Sequence, residues 1–337
     1  SLVCGLANVL LGGLVVLVYK ERLSRTLRGF VIAVIVMFVA LFWFTEPLVQ
    51  TWESSLYSDR VILSRQSKYQ KIVLTRWKDD IRLFLNGALQ FATLDEARYH
   101  ESLVHPAMAL AGHRRNVLIL GGGDGLVARE VLKYADVNSI KLVDIDPAVT
   151  QLAREHRLLV EQNEGALHRP RVDVINADAF RFVQQDPSLY NVIICDLPDP
   201  STQGISKLYT REFYTLLRHR LSADGVLVTQ ASSPYFAATA FWCIATTIEA
   251  TDFDILPYHT YVPTFGDWGF ILASPVRSLS PGAVELRVPD SRLQYLDDRL
   301  LQTMFVFPAD MERRETETNT LGEHRLVRYY QDSWRQW

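Results

Sequence analysis

Val117-Leu118-Ile119-Leu120 runs straight into Gly121-Gly122-Gly123-Asp124-Gly125, and Leu126, Val127, Val131 and Leu132 then recur at helical spacing. An apolar run, a glycine-rich turn and an amphipathic stretch specify strand, turn and helix, the opening unit of a nucleotide-binding α/β domain. Glycines let the backbone turn tightly and lie against a ligand with no Cβ in the way. The spacing is G-x-G-x-G, with Leu126 where the dinucleotide pattern has its third glycine. No G-x-x-x-x-G-K-[ST] occurs, which excludes a P-loop. Asp124 inside the turn disfavours a pyrophosphate and favours a cationic group, such as a sulfonium nucleoside of the S-adenosylmethionine kind. A plain structural turn is the competing reading.

Beyond the loop, strands and helices alternate. Strands at 140–145, 172–175, 192–195 and 226–229 precede helical stretches at 148–160, near Phe180, at 210–221 and at 236–250. Two more strands, at 254–257 and 268–272, follow one another without a helix between them. This order predicts an α/β fold: a doubly wound, mostly parallel seven-stranded sheet like that of S-adenosylmethionine methyltransferases, with an antiparallel pair at one edge. Ahead of it, segments 71–74 and 81–85 flank Lys78-Asp79-Asp80, and Asn86-Gly87 makes a second tight turn, predicting a small antiparallel β-unit. The expected division is a membrane region at 1–50, the β-unit at 60–92, the α/β domain at 93–280 and an extension at 281–337. The extension carries charge clusters and aromatics but no visible chemistry, so packing or assembly is its default role.

The membrane region rests on two uncharged apolar runs, 2–19 and 29–44. Each is slightly short of the roughly 20 residues that span a bilayer, and neither has a polar face. They predict a transmembrane helical hairpin. A signal peptide fits less well, because no basic segment precedes Leu2 and no small-residue cleavage site follows. Lys20, Arg22, Arg25 and Arg28 lie between the runs, and the positive-inside tendency would leave the remainder of the chain outside the cell. A cytosolic nucleoside ligand argues for the opposite orientation. Ser1 opens inside an apolar run, so upstream helices could precede it and decide the matter. The expectation is a multi-pass cell-membrane protein anchored in the lipid bilayer, its α/β part in the cytoplasm.

Ligands of open α/β sheets bind beyond the carboxyl ends of the strands, and acids cluster at those ends. Asp124 follows the first strand. Asp144 and Asp146 close the second, about 20 residues past the glycines, where an acid can accept from ribose hydroxyls. Asp178 follows the third, where a carboxylate can accept from an adenine amino group. Asp196 and Asp199 follow the fourth, in Asp196-Leu197-Pro198-Asp199-Pro200. Each alone also reads as an N-cap or turn residue, Asp146 before Pro147 most of all; their joint placement on one rim asks for a ligand. Two close acids suit a cationic amine, and clustering raises a carboxyl pKa towards that of a useful base. A deprotonated amine can attack the carbon beside a sulfonium, a reaction that needs positioning and a base but neither metal nor redox centre. Net charge −3 without a basic stripe speaks against nucleic acid. The three scattered cysteines and the absence of H-E-x-x-H spacing point to neither a disulfide framework nor a metal site.

Tyr69-Gln70, Leu85-Asn86-Gly87-x-x-Gln90, Asp95-Glu96-x-x-Tyr99-His100-Glu101, the Gly121–Gly125 loop, Asp144-Ile145-Asp146, Asp178, Asp196-x-x-Asp199-Pro200, Leu208-Tyr209, Gln230 and Pro263-Thr264 follow in order. Together they resemble the polyamine aminopropyltransferases, the spermidine synthase family, in a form with an amino-terminal membrane segment. The resemblance runs from Tyr69 to Phe270 and more loosely to Tyr330. It implies transfer of an aminopropyl group from decarboxylated S-adenosylmethionine, a co-substrate, to putrescine or a related polyamine, giving spermidine and 5′-methylthioadenosine. Neither prosthetic group nor metal is implied. Carried over by position, Asp196 is the base and Asp199 an amine contact. Tyr99, Tyr258, Tyr261 and Gln230 belong to the amine site, with sheet packing the alternative for Tyr258 and Tyr261. Gln70, His100, Gly121, Gly123, Asp124, Asp144 and Asp178 hold the nucleoside donor, Asp124 facing the amine that decarboxylation leaves exposed. The family further implies a homodimer or homotetramer.

The chain departs from the family pattern at Asn86, where many members have Asp, and at Asp144, where Glu is usual. Ala231-Ser232-Ser233 follows Gln230 without the acid that some members carry for the distal amine, and Phe265-Gly266-Asp267 is shorter than the common loop. Three other readings compete. A methyltransferase would use the same sheet, but Asp124 and the acidic amine site speak against it. A membrane polyamine-binding protein without turnover would have no use for Asp196. A nicotinamide oxidoreductase lacks its third loop glycine.

Overall fold

A computed structural model describes residues 11–13, 24, 26, 29–37, 57–276, 278–288 and 292–335. The chain divides into two units, Ser1–Ile62 with Thr75–Trp77 and Leu63–Leu74 with Lys78–Trp337. In the first, residues 11–13 and 29–37 are helical. Most of the two apolar runs lies outside the described residues. Among the described residues no helix is long and apolar enough to cross a membrane. That finding corrects the expected multi-pass membrane location, which rested on hydropathy alone; the expected hairpin itself falls mostly outside the described residues.

In the second unit, the strand before the glycine loop sits near the middle of the main sheet. Alternation explains why it is apolar at every position: Val117 and Ile119 enter the core on one face, Leu118 and Leu120 the core on the other. Its neighbours give the order β10-β11-β9-β8-β5-β6-β7, for β5 (Asn116–Gly121), β6 (Ser139–Asp144), β7 (Val172–Asn176), β8 (Tyr190–Asp196), β9 (Leu221–Gln230), β10 (Asp254–Val262) and β11 (Gly266–Ser274). β5, β6, β7, β8 and β9 run parallel, while β11 pairs antiparallel with both β9 and β10. Strand order reverses between β5 and β8, the chain running outward to β6 and β7 on one side and to β9 on the other, and ligands of such sheets bind in the crevice at that point.

Four strands precede this sheet, β1 (Arg60–Gln66), β2 (Lys71–Trp77), β3 (Asp80–Leu85) and β4 (Ala88–Ala92), forming a second sheet in chain order. Asn86 and Gly87 both have positive φ, 51° and 82°, as a two-residue hairpin turn requires. The Asn86 carboxamide oxygen also accepts from the Lys71 N–H at 3.0 Å, so Asn serves at this turn. Helix α1 (Glu96–Leu110) follows, then α2 (Leu126–Val131) after the glycine loop. The helix expected at 148–160 is broken into α3 (Pro147–Glu155) and α4 (Arg157–Gln162), because His156 is extended at ψ 117°. Apolar spacing runs through the break, which is why the pattern did not reveal it.

The carboxyl-terminal extension is stitched down through single buried side chains. Glu101 of α1 accepts from the N–H groups of Gln294, Tyr295 and Leu296 at 2.7, 2.9 and 2.8 Å. Asn319 donates to the carbonyls of Ser206 and Tyr209 and accepts from the Leu326 N–H. These contacts set the start of the last helix, Arg325–Trp334.

Candidate active site

The glycine loop closes against two strand ends, and this accounts for its composition. Gly121 pairs with Asp196 across the β5–β8 ladder at φ +86°, and a Cβ on it would lie 1.8 Å from the Asp196 carbonyl oxygen. A Cβ on Gly123 would lie 2.5 Å from Asp144 Oδ2, the same oxygen that accepts from the Gly123 N–H at 3.1 Å. The glycines therefore make room first for the acids of neighbouring strands. A nucleotide-loop motif does not distinguish this from room for a ligand.

Asp124, Asp144, Asp196 and Asp199 are all half-buried, retaining an opening to solvent. Asp124 accepts from the Leu126 N–H at 2.9 Å, and burial raises its pKa. Asp144 takes the Asp146 N–H at 2.8 Å on its other oxygen; burial above all, with the Asp124 and Asp146 charges, lifts it to about 6. Asp196 accepts a 2.7 Å hydrogen bond from the Tyr99 hydroxyl. Burial and then the Asp124 charge lift it to about 6 against the pull of His100 and Tyr99. Asp199 accepts from the Tyr330 hydroxyl at 2.9 Å, and burial lifts it to about 6 as well. So many raised carboxyls describe a cleft short of positive charge.

A cation faces them. His100 Nδ1 lies 2.8 Å from the Glu96 carbonyl oxygen and 2.9 Å from Glu96 Oε2. Burial disfavours its protonated form, but the Glu96 bond and charge, with those of Asp124 and Asp196, raise it to about 9. Arg129 on α2 holds Glu96 from the far side, one nitrogen on each carboxylate oxygen at 2.9 Å. Despite burial, His100 and Arg129 bring Glu96 down to about 2. Helices α1 and α2 thus fix the charge of the imidazole beneath the acids.

Other expected residues have scaffold positions. Asp146 accepts from the Ala148 N–H at 3.0 Å as the N-cap of α3 and from the Ser67 hydroxyl at 2.6 Å. Ser67 in turn accepts from the Gln70 N–H at 2.9 Å, tying the Gln70 turn to the end of β6. Asp178 caps the helix Ala179–Gln185 through the Arg181 N–H at 3.1 Å and pairs with Lys207, which holds its pKa down against burial. Gln230 donates to the Leu197 carbonyl and the Tyr209 hydroxyl, both at 2.6 Å, and accepts from the Ser232 N–H. Tyr209 also reaches the Pro198 carbonyl at 3.0 Å. Both residues prop the loop carrying Asp196 and Asp199. Tyr99 lies in an aromatic wall, 6.0 Å from Phe265 and 5.4 Å from Phe270 between ring centres. Tyr258 stacks on Phe270 in the core with its hydroxyl on the Ser102 carbonyl at 2.8 Å. Tyr261 is 59% exposed. Neither ring has a described contact with the acids.

Sequence reasoning missed Glu96–Arg129, Lys207, Ser67 and Tyr330. A buried Arg three residues into the helix after the glycines was a readable signal. Tyr330 had none, standing 131 positions from its partner.

The spermine/spermidine synthase domain family matches residues 96–278. The chain belongs to this family. A polyamine aminopropyltransferase of Leptospira interrogans serogroup Icterohaemorrhagiae serovar copenhageni is 42% identical over 327 residues, covering 97% of this chain and 65% of that protein. One from Oceanobacillus iheyensis is 42% identical over 336 residues, covering 98% and 65%. The chain thus spans about two thirds of the length of these relatives. Among solved structures, a spermidine synthase in complex with the transition state analogue AdoDATO superposes with TM-score 0.67 at 29% identity, covering 74% of this chain and 86% of that one. Spermidine synthase from Thermotoga maritima gives 0.65 at 30%, covering 74% and 85%. Within the family frame, the segment without its acid gains a physical description: Ser232, at φ 65°, has its hydroxyl 3.5 Å from Asp199 Oδ2.

Proposed function

We propose that the protein transfers the aminopropyl group of decarboxylated S-adenosylmethionine to putrescine, releasing spermidine and 5′-methylthioadenosine. The observation that carries this is Asp196: a carboxylate raised to about 6, held by the Tyr99 hydroxyl, in register with the glycine loop. A base so raised is ionised at neutral pH yet takes up a proton more readily than an ordinary aspartate. The ammonium of the acceptor gives its proton to Asp196. The freed lone pair attacks the aminopropyl carbon bonded to sulfur, the C–S bond breaks, and its electron pair stays on sulfur as a neutral thioether. Tyr99, whose own pKa burial and Asp196 push well up, stays a donor and keeps Asp196 oriented.

In this reading Asp199 contacts the amine while Gln230 supports the loop beneath it. Asp124 receives the donor's free amine, and Asp144 and Asp178 its ribose and adenine, with Gln70, Gly121, Gly123 and His100 completing the donor wall. For Asp178 this requires Lys207 to yield one carboxylate oxygen. Residues 93–280 are the catalytic domain, 60–92 the β-unit and 281–337 the extension; a homodimer or homotetramer is the expected assembly. The test is product analysis with decarboxylated and intact S-adenosylmethionine against putrescine, cadaverine, agmatine and spermidine. Release of 5′-methylthioadenosine with a lengthened amine supports the reading. Methyl transfer from the intact donor, without aminopropyl transfer from the other, defeats it.

A further inference from the structure

Asp199 is approached from an unexpected direction. Its Oδ2 accepts from Tyr330 at 2.9 Å and lies 3.5 Å from the Ser232 hydroxyl. Its Oδ1 is shut off from solvent and has no hydrogen-bond partner, a costly state for a carboxylate oxygen unless a donor arrives. Tyr330 sits on the last helix, which is held over the Asp199 loop independently of that bond. Gln331 donates to the Ser201 carbonyl at 3.2 Å, Trp334 stacks on Phe236 at 5.8 Å, and Leu326 is buried in the core. The titratable groups facing Asp199 are all phenols: Tyr330 from this helix, Tyr209 from beneath and Tyr99 from α1.

We propose that Tyr330 is a positioning residue of the amine-acceptor site, contributed by the carboxyl-terminal extension. It occupies Oδ2 and so turns Oδ1 towards an incoming ammonium, the one at the far end of the diamine from the attacking nitrogen. Where some family members carry a second acid after Gln230, this chain has Ala231-Ser232-Ser233, so the far ammonium meets one carboxylate oriented by the neutral hydroxyls of Tyr330 and Ser232. This rests on the aminopropyl-transfer reading above.

The test is steady-state release of 5′-methylthioadenosine by the whole protein and its Tyr330→Phe variant, with putrescine varied between pH 6 and 9. Phenylalanine keeps the ring against Trp334 and removes only the donated bond. The expected result is a KM for putrescine raised about tenfold, with kcat and the donor KM within about twofold. The acidic limb of kcat/KM for the amine moves to higher pH, because Asp199 loses a donor that favours its ionised form. If the wild type transfers to diamines and Tyr330→Phe matches it in amine KM and pH profile, this inference alone is overturned; an equal loss in kcat and both KM values overturns it too. If the wild type transfers to no amine, the functional reading falls and takes this inference with it.

Discussion

Replacing Asp196 by Asn should stabilise the protein while disabling it. Burial and the charge of Asp124 move this carboxyl from 3.8 to about 6 in the fold. A group whose folded midpoint lies above its unfolded one destabilises the fold when ionised. The penalty is absent below the unfolded value, grows between pH 4 and 6, and is complete above that. A displacement of about two pH units corresponds to roughly 3 kcal/mol. Asp196 keeps partial contact with solvent, so the recoverable part is about 1–2 kcal/mol. Asparagine retains an oxygen for the 2.7 Å bond from Tyr99, so little packing is lost with the charge. Chemical denaturation of the ligand-free protein should show Asp196→Asn more stable by about 1–2 kcal/mol at pH 8 and equal to wild type near pH 4. Release of 5′-methylthioadenosine should fall by about 10²–10⁴-fold, the usual worth of a positioned base. A variant less stable than wild type at pH 8, or one with undiminished turnover, refutes the reasoning.

Gly121→Ala should cost about 3 kcal/mol or more, since its Cβ would lie 1.8 Å from the Asp196 carbonyl oxygen at φ +86°; a wild-type melting temperature by circular dichroism contradicts the close approach. Glu96→Gln removes the carboxylate that holds His100 at about 9. Wild-type stability from this histidine is fully present below 6.5 and lost as pH rises through 9; in the variant NMR titration should find the imidazole neutral by pH 8, and a midpoint still near 9 counts against the Arg129–Glu96–His100 chain.

Local patterns were readable where one physical constraint acts on consecutive residues. The apolar run 117–120 is buried on both faces, and the Asn86-Gly87 turn needs two positive φ values; each leaves its mark in a few adjacent letters. The broken helix at His156 was not readable, because apolar letters at helical spacing continue across it, with Leu152 buried before the break and Leu159 after it.

Position along the chain also decides which acids cluster but not what each one touches. From sequence alone follow the parallel sheet, the glycine loop and the row of aspartates at its strand ends, because alternation and motif spacing are properties of neighbouring residues. Only the tertiary structure assigns Asp146 and Asp178 to helix caps, sinks Tyr258 into the core, and sets Tyr330 on Asp199. Those outcomes depend on contacts between residues far apart in the chain, whose free energy is settled by burial and by which buried donors and acceptors find each other.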